Sequence, residues 1–314
     1  MPLNIVFMGT PEFSVPSLHS LVKSENKILA VYSQPAKKAH RGQKVNLSPV
    51  ESFARKNSLN VRTPTILNSE EEFNFIKNLN PDIVIVVAYG KIIPKKFLTL
   101  SKHGYINLHA SLLPRWRGAA PIQRSIMNLD KETGISIMKI TEELDAGPVM
   151  EQIKTKIHEN TNAEKLSEIL SNLGANALIE SIKKIQTGNA NFIEQNSNKA
   201  TFAKKIKKEE SKIKWNEKAE NILGKINGLN PNPGAWFEHK GQRYKILSAK
   251  IIDQSGKSGF VLDDKPIENH QILRRKYGSD WEDNQVVIGL QMEDDKVKYI
   301  EAIIYGGLSE NRIK

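Results

Sequence analysis

A doubly wound, mostly parallel α/β sheet followed by a smaller β-rich domain is the fold this sequence predicts. Three observations carry the prediction. Short apolar runs alternate with helical segments over the first half of the chain, the pattern of successive βαβ units. Ile83–Tyr89 is a continuous apolar run of the kind buried on both faces of a parallel sheet. Beyond residue 208 the alternation gives way to one helical stretch and short segments of period two.

Each element has a local reason. Leu3–Met8 is an apolar strand ending at Gly9, and Thr10-Pro11 reads as a helix start, threonine as the cap and proline at the first position. Ile28–Tyr32 is a second strand. Ser48-Pro49-Val50-Glu51 has the form of a capping box and predicts a helix through about Lys56. Ser69–Glu72 repeats that form before another helix, and Asp82–Val87 is the third strand. Gly104–His109 and Gly134–Ile140 read as strands on either side of a helix near Ile122–Met127. Thr161–Glu164 reads as the cap of a helix running to Lys184.

The domains expected are residues 1–188, a polar and basic linker over 189–207, and 208–314. The linker reading rests on Thr187-Gly188-Asn189-Ala190 and Gln195-Asn196-Ser197-Asn198-Lys199, which are rich in turn-forming side chains. Within 208–314, Asn216–Asn227 reads as helix, Leu229–Phe237 as a turn-rich stretch, and Gln242–Leu247 and Val297–Ile304 as strands.

Composition excludes several function classes. The 314 residues contain no cysteine, so disulfides, thiolate nucleophiles and cysteine metal sites are ruled out. The longest apolar run is too short to span a bilayer, and the N-terminal residues read as a first strand rather than a signal peptide. The cytoplasm is the expected location. Met8-Gly9-Thr10-Pro11-Glu12 holds a single glycine, which argues against a dinucleotide cofactor. The formal charge is +11, and residues 191–260 alone carry 14 basic and 7 acidic side chains. Such a balance favours a phosphate-rich partner.

Doubly wound sheets bind ligands outside the carboxyl ends of their strands. Gly9–Phe13, Ala88–Ile92, Asn107–Pro114 and Thr141–Pro148 are therefore expected to converge on one crevice. There, Asn107 and His109 share a strand face, and Asp145 lies in the turn Glu142–Pro148. A carboxylate beside an imidazole orients it and favours its protonated form, and an amide N–H can stabilise a developing oxyanion. Together they meet the minimum for acyl transfer to an amine. A histidine at a strand end also serves as a structural hydrogen-bonder, and aspartate commonly caps turns, so residue spacing leaves both readings open. No H-x-x-x-H or H-x-H spacing supports a metal site.

The stretch Asn107–Gln123 resembles the signature of the 10-formyltetrahydrofolate-dependent formyltransferases, in particular the branch that acts on methionyl-tRNA. Phe7–Phe13, Val87–Pro94, Glu142–Pro148 and Asn230–Trp236 support the resemblance. It implies that Asn107, His109 and Asp145 are the catalytic residues. It also implies that Ser111, Leu112, Leu113 and Pro114 form a folate-binding loop, with the pterin against backbone from Ala88, Tyr89, Gly90 and Ile92 and against the Thr141–Asp145 turn. In the family a basic loop after the second strand enters the acceptor stem; Lys37, Lys38, Arg41 and Lys44 occupy that place. Lys204, Lys205, Lys207 and Lys208 are the second group expected to touch tRNA, leading into an OB-like tRNA-binding domain.

The implied reaction is formyl transfer from 10-formyltetrahydrofolate to the α-amino group of initiator methionyl-tRNA, by a monomer with no metal and no membrane partner. From about Lys265 the sequence departs from the family's pattern: residues 261–314 carry a net charge of −3, and acidic strands repel phosphate. Two other readings compete. One is a formyltransferase acting on a sugar-nucleotide or other small amine, against which Asn230–Trp236 and the basic cluster argue. The other is a non-catalytic RNA-binding protein of the same fold, against which the three polar residues argue.

Overall fold

The computed structural model describes residues 2–39, 44–239, 241–252, 261–266, 286–292 and 298–306. The chain divides into two compact units, one of residues 1–121, 132–156 and 167–204, the other of residues 122–131, 157–166 and 205–314.

The first unit is built on a seven-stranded sheet. Its strands are β1 (Asn4–Gly9), β2 (Lys27–Tyr32), β3 (Val61–Arg62), β4 (Ile83–Val87), β5 (Tyr105–His109), β6 (Glu132–Lys139) and β7 (Val149–Lys156). They lie in the order β7-β6-β5-β4-β1-β2-β3. The ladders from β3 through β5 are parallel, and β6 and β7 add antiparallel at one edge. Chain order reverses between β1 and β4, which makes their carboxyl ends the switch point where such sheets take ligands. β4 is buried along its whole length, as its unbroken apolar sequence requires. β7 alternates intermediate and exposed residues over its last four positions, as an edge strand does.

The helices start where short polar side chains can satisfy free backbone N–H groups. Ser48 accepts the Glu51 N–H at 3.0 Å to begin α2 (Pro49–Lys56), and Ser69 accepts the Glu72 N–H at 3.2 Å to begin α3 (Glu70–Leu79). Each such cap stabilises its helix by about 1 kcal/mol. Two expected starts differ. Thr10 does not cap a helix: its hydroxyl donates to the Tyr89 carbonyl, and α1 (Val15–Lys23) follows a 3₁₀ turn over Glu12–Ser14. The start at Thr161 moves to Asn162, whose side chain accepts the Lys165 N–H at 2.9 Å, and the helix then spans Ala163–Gln186.

Residues 189–204, expected as linker, are folded against the first unit. Ile193 bridges Val149, and Phe202–Ala203 pair in parallel with Arg117–Gly118. Gln195 and Thr201 hydrogen-bond into the unit, while residues 196–199 stay exposed.

The second unit holds a helix, Ala219–Leu229, and a five-stranded antiparallel sheet. Its strands are β8 (Trp236–His239), β9 (Gln242–Ile252), β10 (Val261–Pro266), β11 (Val286–Met292) and β12 (Lys298–Gly306), in the order β8-β9-β12-β11-β10. Ile222, Ile226, Leu229, Ala235, Phe237 and Ile246 form its core. Arg124 grips the Glu210 carboxylate through both oxygens, at 2.7 and 3.0 Å, and holds that carboxyl below its usual range. The acidic stretches Tyr277–Asp283 and Glu293–Asp295 lie outside the described residues. Among the described residues, no helix is long and apolar enough to cross a membrane.

Candidate active site

β5 runs between β4 and β6, with Asn107 opposite Val86 and Met138 and His109 opposite Ser136. The period of two puts Tyr105, Asn107 and His109 on one face of this strand. Tyr105 is packed in the core, its phenol pushed above the ordinary range by burial, while Asn107 two residues on is half-buried. The Asn107 amide has no hydrogen-bond partner among the described residues, so its donors and acceptor are available to a ligand.

His109 is buried, and its Nε2 lies 2.9 Å from the Trp116 carbonyl. A carbonyl only accepts, so Nε2 carries the proton in that bond. Nδ1 is left facing Asp145 Oδ2 at 3.7 Å, beyond direct hydrogen-bond range. One imidazole nitrogen is thus anchored to the fold, and the other points at a carboxylate across a short gap.

Asp145 follows β6 in the Glu142–Pro148 turn. Its backbone is in the left-handed region, φ 51°, and Oδ2 accepts the Gly118 N–H at 2.8 Å. Two glycines make this packing possible. Gly118 has φ 120°, and a side chain there would put its Cβ 2.8 Å from the Ala203 carbonyl oxygen. A Cβ on Gly147 would collide with the Lys139 carbonyl, whose residue pairs its N–H with Pro148 at 3.0 Å.

The Ser111–Pro114 loop is held by side chains beneath it. Ser136, fully buried, donates to the Ser111 carbonyl at 2.6 Å and accepts the Leu113 N–H at 3.1 Å. Gln152 donates to the Leu113 carbonyl and to Ser136 Oγ, both at 2.9 Å. The Ala88–Ile92 loop leaves β4 with Ala88 at φ 46° and Gly90 at φ 78°. The Tyr89 carbonyl is fixed by Thr10 at 2.8 Å and Gln34 at 3.1 Å, while the Tyr89 ring is buried in the core. That burial, with Glu72 nearby, pushes its phenol above the ordinary range. Lys91 turns away to the Pro64 and Thr65 carbonyls, and burial lowers its ammonium. Ile92 on this loop and Leu144 beside Asp145 expose 88% and 64% of their surface, unusual for large apolar side chains.

The structure therefore brings His109 and Asp145 together, keeps Asn107 two residues from His109 on the same strand face, and gives both expected folate-binding loops defined backbones. Within the basic loop, Lys37–Ala39 and Lys44–Asn46 pair as short antiparallel strands, and Arg41 lies outside the described residues. Lys204, Lys205, Lys207 and Lys208 are exposed. Sequence reasoning missed the groups that hold the site, namely the Trp116 carbonyl, the Gly118 N–H, Ser136, Gln152 and Gln195. A lone serine between Ile135 and Ile137 was a readable signal; Gln195, inside a polar run, gave none. Among the described residues, no group of three or more His, Cys, Asp or Glu side chains could hold a metal ion.

A family profile described as formyl transferase matches residues 3–182, which span every strand of the sheet and all three clustered side chains. The chain belongs to the formyltransferase family. A second profile, described as formyl transferase, C-terminal domain, matches residues 205–270. Among curated formyltransferases, the methionyl-tRNA formyltransferase of Pelagibacter ubique is 54% identical over 83% of this chain and 85% of its own length. That of Coxiella burnetii (strain RSA 331) is 44% identical over 81% of each. The fold also matches the crystal structure of the N-formyltransferase from Helicobacter canadensis in complex with folinic acid and dTDP-3-aminofucose. That match has a TM-score of 0.67 at 17% identity, covering 97% of this chain and 100% of that one. At such identity the likeness speaks for the fold alone.

Proposed function

We propose that this formyltransferase moves the formyl group of 10-formyltetrahydrofolate to the α-amino group of methionine on initiator tRNA, in the cytoplasm. The observation that carries the proposal is 54% identity to a methionyl-tRNA formyltransferase over 83% of the chain. The crevice suits the donor: exposed Ile92 and Leu144 offer apolar surface to a flat ring, and fixed backbone at 88–92 offers hydrogen bonds to its edge.

In this reading the amine nitrogen bonds to the formyl carbon, and the bond from that carbon to the donor nitrogen breaks. The Asn107 amide donates to the oxygen as it gains negative charge. His109, fixed through Nε2, works at Nδ1, where Asp145 stabilises the cation that forms when a proton is held there. The amine loses one proton and the departing nitrogen gains one, so Nδ1 and a bridging water suffice to balance the transfer. No serine stands in a nucleophile-elbow pattern and no cysteine exists, which supports direct transfer over a covalent acyl-enzyme. Lys37, Lys38, Arg41 and Lys44, together with Lys204, Lys205, Lys207 and Lys208, are proposed to bind phosphates, which position RNA without reading its sequence.

The test is acceptor choice. With 10-formyltetrahydrofolate as donor, kcat/KM for methionyl-initiator-tRNA is expected to exceed that for a dTDP-amino sugar by about 10⁴-fold, the scale on which a site discriminates by groups it leaves unpaired. Preference for the amino sugar would replace this reading with the small-amine one. Binding of the tRNA without transfer would make the chain an RNA-binding protein.

A further inference from the structure

The geometry points to Gln195, locked by the buried Arg117, as a positioning residue for the Asp145 carboxylate; this rests on the formyl-transfer reading of the site. Gln195 lies in a segment whose composition reads as linker, yet its amide is fully engaged. Nε2 donates to the Asp145 carbonyl at 2.9 Å and to the Gly147 carbonyl at 2.7 Å. Oε1 accepts from Arg117 Nε at 3.0 Å and Nη2 at 2.9 Å. The orientation of the amide is therefore decided by its partners, since a guanidinium only donates and carbonyls only accept.

Arg117 is 1% exposed, among the most deeply buried large side chains of the chain. A buried cation is costly unless its donors are satisfied. Here it faces the neutral Gln195 amide and, through Nη1 at 3.4 Å, Glu143 of the same turn that bears Asp145. The next residue, Gly118, supplies the N–H that holds Asp145 Oδ2. Both ends of Asp145 are thus tied to one strand segment, the carboxylate directly and the carbonyl through Gln195.

The tie has a purpose that packing alone does not explain. Asp145 sits at φ 51°, in the left-handed region that aspartate enters more readily than most residues with a Cβ, and its carboxylate and carbonyl hydrogen bonds hold it there. Release of its carbonyl would let the turn relax and swing Oδ2 away from His109 Nδ1. Displacements of about 1 Å at reacting groups cost about 10²-fold in rate.

Gln195→Glu separates positioning from structure. The carboxylate still accepts from Arg117 and so keeps the segment anchored, but it offers oxygen instead of N–H to two carbonyls. The variant is expected to lose about 10–10²-fold in kcat, with KM for either substrate changed by less than about threefold and Tm lowered by only a few degrees for the two carbonyls left without a donor. On an Asp145→Asn background the same change should cost less than about twofold, because the two act through one group. Amide hydrogen exchange over residues 141–148 should quicken in Gln195→Glu, and in Gln195→Met, which has neither donor. Unchanged exchange there, unchanged kcat, or an undiminished loss on the Asp145→Asn background would overturn the inference. The exchange experiment needs no turnover: if the parent protein formylates nothing, the functional reading fails while quickened exchange still upholds the tie.

Discussion

Asn107→Ala is expected to slow single-turnover formyl transfer by about 10²–10³-fold while leaving the melting temperature close to that of the parent. The size follows from what one hydrogen-bond donor does for an oxygen that gains charge only as the transition state forms. The selectivity for rate over stability follows from the fold. Asn107 is half-buried, its side chain has no partner among the described residues, and its strand pairing with Val86 and Met138 involves backbone alone. Truncation therefore strands no buried polar group. Asp145→Asn is the companion experiment. It retains an oxygen for the Gly118 N–H at 2.8 Å but removes the charge 3.7 Å from His109 Nδ1, so a fall in rate with an intact turn reports the charge itself. Near-parental rates in both variants, with folding intact, would dissociate the trio from the chemistry.

Affinity for methionyl-tRNA is expected to fall by about 10²–10⁴-fold as salt rises from about 50 to 200 mM. Eight basic side chains are proposed to bind phosphates, and each phosphate neutralised adds roughly 0.7–0.9 to the slope of log affinity against log salt. Neutralising roughly four to eight phosphates gives the stated range. Substitution of Lys207 and Lys208 by serine should lower that slope by about one unit for each phosphate no longer neutralised, which a filter-binding titration at several salt concentrations would read. A flat dependence in the parent protein would remove phosphate binding from the account, whatever the enzyme's rate.

The sheet was legible where burial acts on the whole strand. β1 and β4 are covered on both faces, so selection for apolar side chains leaves an unbroken run that periodicity finds. β7 was missed because an edge strand needs few apolar residues: Glu151, Gln152, Lys154 and Lys156 stand among its eight positions. Capping serines announced α2 and α3, whereas Thr10 carried the same signal and spends its hydroxyl on the Tyr89 carbonyl. That choice depends on a residue 79 positions away, which local pattern cannot register. The site divides the same way. Asn107 and His109 share a face by strand period, and Asp145 stands in a recognisable turn. Of their supports, Ser136 and Gly118 leave a mark in residue type, whereas the Trp116 carbonyl and a glutamine from a polar run leave none.

The most direct test of the central claim is a rapid-quench experiment with the formyl group labelled on the folate donor and methionyl-initiator-tRNA as acceptor. Label is predicted to pass from folate to the methionine amino group with one rate constant, and none should be found on the protein at any time. Label bound to the protein before it reaches the tRNA, or label lost from folate without reaching the methionine, would contradict the account.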